Sequence, residues 1–279
     1  MTLQSNNIGR DHILTLRMAF TGFLLFLTYI ALFGILLFTG LPFGFVLIMG
    51  IGMVFFQYFF SDWLVLKTTK AKIVSESEAP NAFATGRNKK KATVAVTTGL
   101  LNKLTDQELE AVIGHELAHI KNRDVAVMTW ASLIVVIAGY LMQMMFWMSL
   151  FGGFGGGSRR ESGGQVWLMI MIAYVSIIAI YFISQLLTMA LSRYRELAAD
   201  RDGALITGNP MALASALQKI SGEITKIPER DLRQVEHANA FFIIPALQGK
   251  SMAKLLSSHP QTEERVRRLR NINKNMANS

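Results

Sequence analysis

Two histidines and a glutamate, closely spaced, are where this chain could do chemistry. His115 and His119 stand four residues apart in V-I-G-H-E-L-A-H-I-K-N-R-D (112–124), and Glu116 directly follows the first. Positions i and i+4 of a helix share a face, so both imidazoles can turn toward one ion. Glu116 is rotated by about 100° from His115, which lets its carboxylate reach a water on that ion without being a ligand. H-E-x-x-H is the arrangement of a zinc hydrolase, two nitrogen ligands and a general base.

Two histidines leave such an ion short, because a catalytic zinc usually takes three protein ligands and keeps one position for water. The extended form H-E-x-x-H-x-x-G-x-x-H is excluded, since position 122 is Asn and position 125 is Val. The third ligand must come from elsewhere, and Asp124, Glu196, His237 and His259 are the candidates. Choosing among them requires the elements that carry them.

The motif itself reads as helix. Thr105-Asp106-Gln107-Glu108 fits a capping box, with Thr105 as N-cap and Glu108 at the third helical position. Leu109, Val112, Ile113, Leu117 and Ile120 then recur at helical spacing. Around this helix the chain alternates between lipid-like and water-like stretches. Of its 279 residues 51% are apolar, the net charge is +9, and the mean hydropathy is +0.34. Those values fit a protein divided between bilayer and water. With no cysteine in the chain, disulfides, cysteine-based zinc sites and cysteine nucleophiles are excluded. No cleaved secretory signal is expected, since the first apolar segment is too long and soon followed by another.

Met18 to Ser61 holds no charged residue. As one helix this run would be about 66 Å long, far beyond a hydrocarbon core of about 30 Å. Gly40-Leu41-Pro42-Phe43-Gly44 supplies a turn, so two spans are expected, 18–39 and 43–61. Val125–Phe151 and Val166–Leu191 are two more charge-free runs, joined by a glycine-rich link, 152–165, that lacks the ending of a phosphate loop. The expected organisation is a first membrane hairpin with its tail (1–61), a first catalytic part (62–124), a second hairpin (125–191) and a second catalytic part (192–279). The fold class expected is mainly α with a small β-sheet, a four-span membrane protein with a zincin-like domain on one side.

Charge sets the orientation. The N-terminal tail, 62–124 and 192–279 carry 2, 10 and 14 Lys or Arg, against 2 in the glycine-rich link and none in the 40–44 turn. The basic side is cytoplasmic by the positive-inside rule, which accounts for the positive charge without nucleic acid. Topology also selects the third ligand. His119 lies six residues before the third run and Glu196 five residues after the fourth. An antiparallel pair of spans of similar length returns both to nearly the same depth. Asp200, at i+4 from Glu196, shares its face and can accept a ring N–H from a ligand histidine; Asp124 reads as a cap or outer-shell carboxylate.

H-E-L-A-H, a pair of apolar runs, then E-L-A-A-D, with N-A-F-A-T-G upstream, resembles the HtpX-type membrane zinc metalloproteases. They belong to the gluzincin group that also contains the CAAX prenyl proteases. The resemblance covers nearly the whole chain. It implies His115, His119 and Glu196 as ligands of one Zn2+, and Glu116 as base. It also implies a role in membrane-protein quality control in a prokaryotic plasma membrane, with unfolded or damaged membrane proteins as substrates. Asn81-Ala82-Phe83 matches the family's edge-strand motif, which holds substrate extended beside the metal; a peptide added to a sheet edge gains backbone hydrogen bonds without demanding a particular sequence. Thr93 to Thr98 alternates β-branched residues, as a neighbouring strand would.

Ser258-His259-Pro260 with Arg265 matches another family element. Pro260 reads as the first residue of a helix through Arg270. His259 then either faces the cleft, to stabilise an oxyanion or gate the metal, or is a helix-start histidine backed by a solvated basic face. The stretch 62–80 is shorter than the resemblance implies, so a smaller sheet or a differently covered edge is expected. The alternative functions are a CAAX-type prenyl-peptide protease, usually built with more spans, and a catalytically silent membrane scaffold or metal-binding regulator.

Overall fold

Long uncharged runs satisfy their backbone internally only as helices, and the chain is mainly helical. The computed structural model describes residues 11–39, 82–85, 93–150, 163–224 and 259–278, with single positions at 44, 48, 52 and 55. Among the described residues the continuous helices are α1 (His12–Phe38), α2 (Thr98–Leu101), α3 (Asp106–Asn122), α4 (Asp124–Leu150), α5 (Gly163–Thr207), α6 (Pro210–Ile224) and α7 (Thr262–Ala277). Two short strands, β1 (Ala82–Thr85) and β2 (Thr93–Val96), pair antiparallel with Ala82 opposite Val96 and Thr85 opposite Thr93.

Three of these helices, α1, α4 and α5, are long and apolar enough to cross a membrane. Of the expected 43–61 span only positions 44, 48, 52 and 55 are described, all helical; the rest lies outside the described residues, as do Asn81, His237, the 62–80 stretch and residues 152–162 of the link. The chain divides into two compact units. One comprises Ala19–Ser61 and Met128–Thr188. Inside it Tyr29 donates its hydroxyl hydrogen to the Trp130 carbonyl at 2.7 Å and Thr188 donates to the Ala131 carbonyl at 2.9 Å. Phe23, Phe26, Ile30, Val136, Val175 and Phe182 all face outward, a pattern suited to hydrocarbon rather than water.

The other unit comprises Met1–Met18, Asp62–Val127 and Met189–Ser279. Its core gathers Leu100, Val112, Leu213, Leu217, Ile220, Val266 and Leu269, with Ala82 of β1 joining them. The local sequence explains each junction. The expected capping box closes α3: the Glu108 N–H donates to Thr105 Oγ1 at 3.4 Å, and the Thr105 N–H donates to Glu108 Oε2 at 2.9 Å. The same glutamate accepts from Ser215 and from Lys219 of α6, each at 2.7 Å, so one side chain both caps α3 and fastens it to α6. Lys219 and Ser215 overcome the burial of Glu108 and hold its carboxyl down at about 2.

Helix α5 stops at Gly208, whose φ of +68° is costly for a residue with a Cβ. Asn209 then accepts from the Ala212 N–H at 3.0 Å, and Pro210 opens α6. Leu117 of α3 is 43% exposed, while Glu108, His115 and Glu116 are buried; the inward face of α3 is the one that carries the chemistry. One expectation shifts. Helix α7 starts at Thr262 and runs to Ala277, rather than from Pro260 to Arg270. Gln261 holds the extended N-cap conformation, so Pro260 sits before the cap, where its missing N–H costs no helical bond.

Candidate metal centre

Two helices bring the histidines and the distal glutamate together. His115 and His119 project from one face of α3, and Glu196 comes from α5 at a point where its charge-free part, ending at Leu191, has given way to polar sequence. The close approach of the two helices rests on glycines. A Cβ on Gly203 would lie 2.8 Å from both the N and Cα of His115, and a Cβ on Gly114 would lie 2.5 Å from Thr207 Cγ2. Glu196, Asp200 and Gly203 stand at i, i+4 and i+7, a single stripe turned toward α3.

One ligand atom from each of His115, His119 and Glu196 lies within 4.8 Å of the others. The two Nε2 atoms are 3.1 Å apart, and Glu196 Oε1 and Oε2 lie 3.5 Å from His119 Nε2 and 3.7 Å from His115 Nε2. Ligands about 2.0–2.1 Å from a tetrahedral zinc stand about 3.3 Å apart, so these spacings suit a shared ion. Glu196 Oε2 is buried without a well-formed hydrogen bond, though Arg265 and His259 lie near it, so a lone pair is left for an ion. By donor set and spacing, the residues fit a metal.

Each imidazole is backed by a carboxylate. His119 Nδ1 is 2.6 Å from Asp124 Oδ2, and His115 Nδ1 is 3.0 Å from Asp200 Oδ1. A carboxylate at Nδ1 favours the proton there and leaves the Nε2 lone pair for the ion. Asp124 is also the first residue of α4, where a negative side chain suits the helix N-terminus. Arg265 of α7, 1% exposed, donates to both Asp200 oxygens, at 2.8 Å from Nε and 2.7 Å from Nη2. Its Nη1 lies 3.4 Å from Glu196 Oε2, and its Nη2 lies 3.5 Å from His115 Nε2. His259 is buried, with Nδ1 3.4 Å from the same Glu196 oxygen.

The charges interlock. Burial would push the Glu196 carboxyl up, but His259, Arg265 and His119 hold it well below the usual range. Burial opposes Asp200 in the same way, and Arg265 and His115 hold it down. Arg265 is disfavoured by its burial, yet Asp200, Glu196 and Glu116 keep it firmly protonated. Glu116 is itself buried on α3.

The structure thus assembles His115, His119, Glu196, Asp200, Asp124, His259 and Arg265. Strand β1, with Ala82 buried, packs on α3; Phe83 takes part through its backbone pairing with Ala95. Sequence reasoning passed over Gly114, Gly203 and Arg195. For Gly203 the signal was its place on the Glu196–Asp200 stripe.

A helix-borne histidine pair with an adjacent glutamate, each ring backed by an aspartate and joined by a distal glutamate, is a donor set that fits a metallohydrolase. The family comparison agrees: residues 63–273 match the model of peptidase family M48. The chain belongs to that family and is an HtpX-type metalloprotease of membranes. It is 47% identical to Protease HtpX homolog 2 of Methanosarcina acetivorans, across 96% of this chain and 98% of that protein. Identity to the Protease HtpX homolog of Moorella thermoacetica is 44% (96% and 97% covered), and to Protease HtpX homolog 1 of Streptomyces coelicolor 40% (94% and 93%). No solved structure matches the chain.

Proposed function

We propose that this chain is a zinc endopeptidase that hydrolyses unfolded or damaged membrane proteins, with His115, His119 and Glu196 as metal ligands and Glu116 as general base. The observation that carries the reading is the convergence of the two Nε2 atoms and the Glu196 carboxylate at tetrahedral ligand spacing. Two imidazoles and a carboxylate are a donor type that favours zinc. When bound, zinc supplies Lewis acidity toward a carbonyl and makes water a stronger acid.

The chain's own residues do the remaining work. Glu116 takes a proton from the attacking water and returns one to the leaving amine nitrogen. Asp200 and Asp124 hold the histidine rings in the tautomer that faces the ion. His259 and Arg265, both beside Glu196, place positive or hydrogen-bonding groups where the scissile carbonyl oxygen gains charge, or gate entry to the metal. Substrate adds as an antiparallel strand along residues 81–86, with Asn81, Ala82 and Phe83 as its docking edge; the packing of β1 on α3 supports this placing.

The protein spans a prokaryotic plasma membrane four times, with the catalytic parts and both termini cytoplasmic, as its Lys and Arg distribution favours. Its partners are the bilayer and its protein substrates, and nucleic acid has no part in the reading. Zinc content and casein digestion, measured on wild type and Glu116→Gln in detergent, test the proposal. Wild type should hold zinc and digest casein, and the variant should hold zinc and be silent. A variant that still digests casein would remove Glu116 from its role.

A further inference from the structure

Arg195 stands one residue before the proposed third ligand, and its guanidinium reaches across to the corner between α3 and α4. That corner turns at Arg123, which caps α3 in the left-handed region at φ +56° and is followed at once by α4. Arg195 bridges it from both sides. Its Nη2 donates to the Asn122 carbonyl at 2.9 Å, the last residue of α3, and it contacts Asp124 Oδ1, the first residue of α4. The other oxygen of Asp124 holds His119 Nδ1 at 2.6 Å. Arg195 and Asp124 are both largely buried, with side chains 15% and 8% exposed, so solvent does little to replace the pair.

We infer that Arg195 is a positioning residue for the metal centre: it locks the α3–α4 corner and the Asp124 carboxylate, and so fixes the His119 ring relative to Glu196. The inference rests on the metal-site reading above. Its logic is connectivity. Glu196 is covalently next to Arg195, and His119 is two contacts away through Asp124, so the guanidinium joins the ligand-bearing part of α5 to the ligand-bearing end of α3. A second link beside it, Asn122 Nδ2 to Asp202 Oδ2 at 3.1 Å, joins the same two helices but does not touch a ring-holding carboxylate. His115 already has the equivalent assembly, in which Arg265 clamps Asp200. Arg195 gives the second histidine its own arginine–carboxylate support.

Partners behind a ligand histidine typically set metal affinity by 10–100-fold. Arg195 acts one contact further out, so its loss should weaken zinc by about tenfold. The test is the zinc dissociation constant of the full-length protein in detergent, read by competition with a chromogenic chelator. The variants are Arg195→Met, Asp124→Asn, the double variant, Arg195→Lys, and Arg201→Met as a charge-loss control on the same helix. Arg195→Met should raise the constant about tenfold, Arg201→Met should leave it unchanged, and the double variant should be no worse than Asp124→Asn alone, because both changes cut one chain of contacts. Arg195→Lys, which keeps a cationic donor, should recover part of the loss. If Arg195→Met does not fold, Arg195→Lys and Asp124→Asn carry the test: Lys must bind more weakly than wild type and more tightly than Asp124→Asn. Wild-type affinity in Arg195→Met or in Arg195→Lys, or losses that multiply in the double variant, would overturn the inference. Wild type that takes up no zinc would instead sink the metal-site reading beneath it.

Discussion

Gly203 of α5 lies directly against the backbone of His115, so near that a Cβ would come within 2.8 Å of the histidine's N and Cα. Neither is the flexible end of a side chain, so the helices themselves would have to part. The separation that lets Glu196 face the histidines is therefore set by the absence of one methyl group.

Gly203→Ala should wedge α3 from α5, costing about 1–3 kcal/mol and lowering zinc retention. Gly222→Ala is the contrast: it is also helical, but nothing lies within 4 Å of its added Cβ, so it should stabilise by a few tenths to about 1 kcal/mol. Thermal unfolding in detergent reads both. A Gly203→Ala protein that melts with wild type would show that the helices can accommodate the methyl group.

Arg265 should be among the most costly side chains to remove. Truncation to alanine leaves Asp200 buried without its principal cation and takes from Glu196 one of the groups that hold its charge, at a cost of about 3–5 kcal/mol. Arg265→Lys should not restore the loss, because a single ammonium cannot reproduce the forked pair of bonds to Asp200. Denaturant midpoints of the three proteins check this, and a lysine variant equal to wild type would count against the geometry.

Glu108 makes a pH prediction. Its carboxyl is held from 4.5 down to about 2, so the folded state favours the ionised form. The stability this contributes is fully present above about 4.5, declines as pH falls, and is gone below about 2. Allowing for solvent at the half-exposed Lys219, it amounts to roughly 2–3 kcal/mol. Glu108→Gln should lower the melting temperature at pH 7 and flatten its dependence between pH about 5 and about 2. An unchanged acid limb in that variant would assign acid sensitivity to other carboxylates.

Zinc removal should lower stability as well as activity. Ligand that binds only the folded state adds about 2.7 kcal/mol at a hundredfold excess over its dissociation constant. Chelator-treated protein should melt earlier and recover on adding zinc; no recovery in His119→Ala would tie the shift to this centre. Equal shifts in wild type and His119→Ala would place the stabilising ion elsewhere.

Much of the centre could be read before any coordinates, because its parts follow local rules. The Thr105–Glu108 box declares a helix start, i and i+4 put His115 and His119 on one face, and the two apolar runs of similar length between His119 and Glu196 point to Glu196 as their partner. What was not legible depends on pairs distant in sequence. Glycine in a helix reads as a weakness until the neighbouring backbone is known, so Gly114 gives no sign of setting a helix contact, and Gly203 only its place on the Glu196–Asp200 stripe. Arg195 looked like one more cytoplasmic positive charge, since nothing local shows that it bridges Asn122 and Asp124. Apolar periodicity alone does not show which face of α3 is inward: it buries His115, Glu116 and Glu108 and leaves Leu117 exposed.

Two glutamates near the same histidines should behave in opposite ways, and the zinc bound per chain in Glu196→Ala beside Glu116→Gln tests that most directly. The expected outcome is about one zinc per chain in Glu116→Gln, with no proteolysis, and near-complete loss of zinc in a folded Glu196→Ala. Undiminished zinc in Glu196→Ala would contradict it, for the ion would then be held without the carboxylate that α5 brings to His115 and His119.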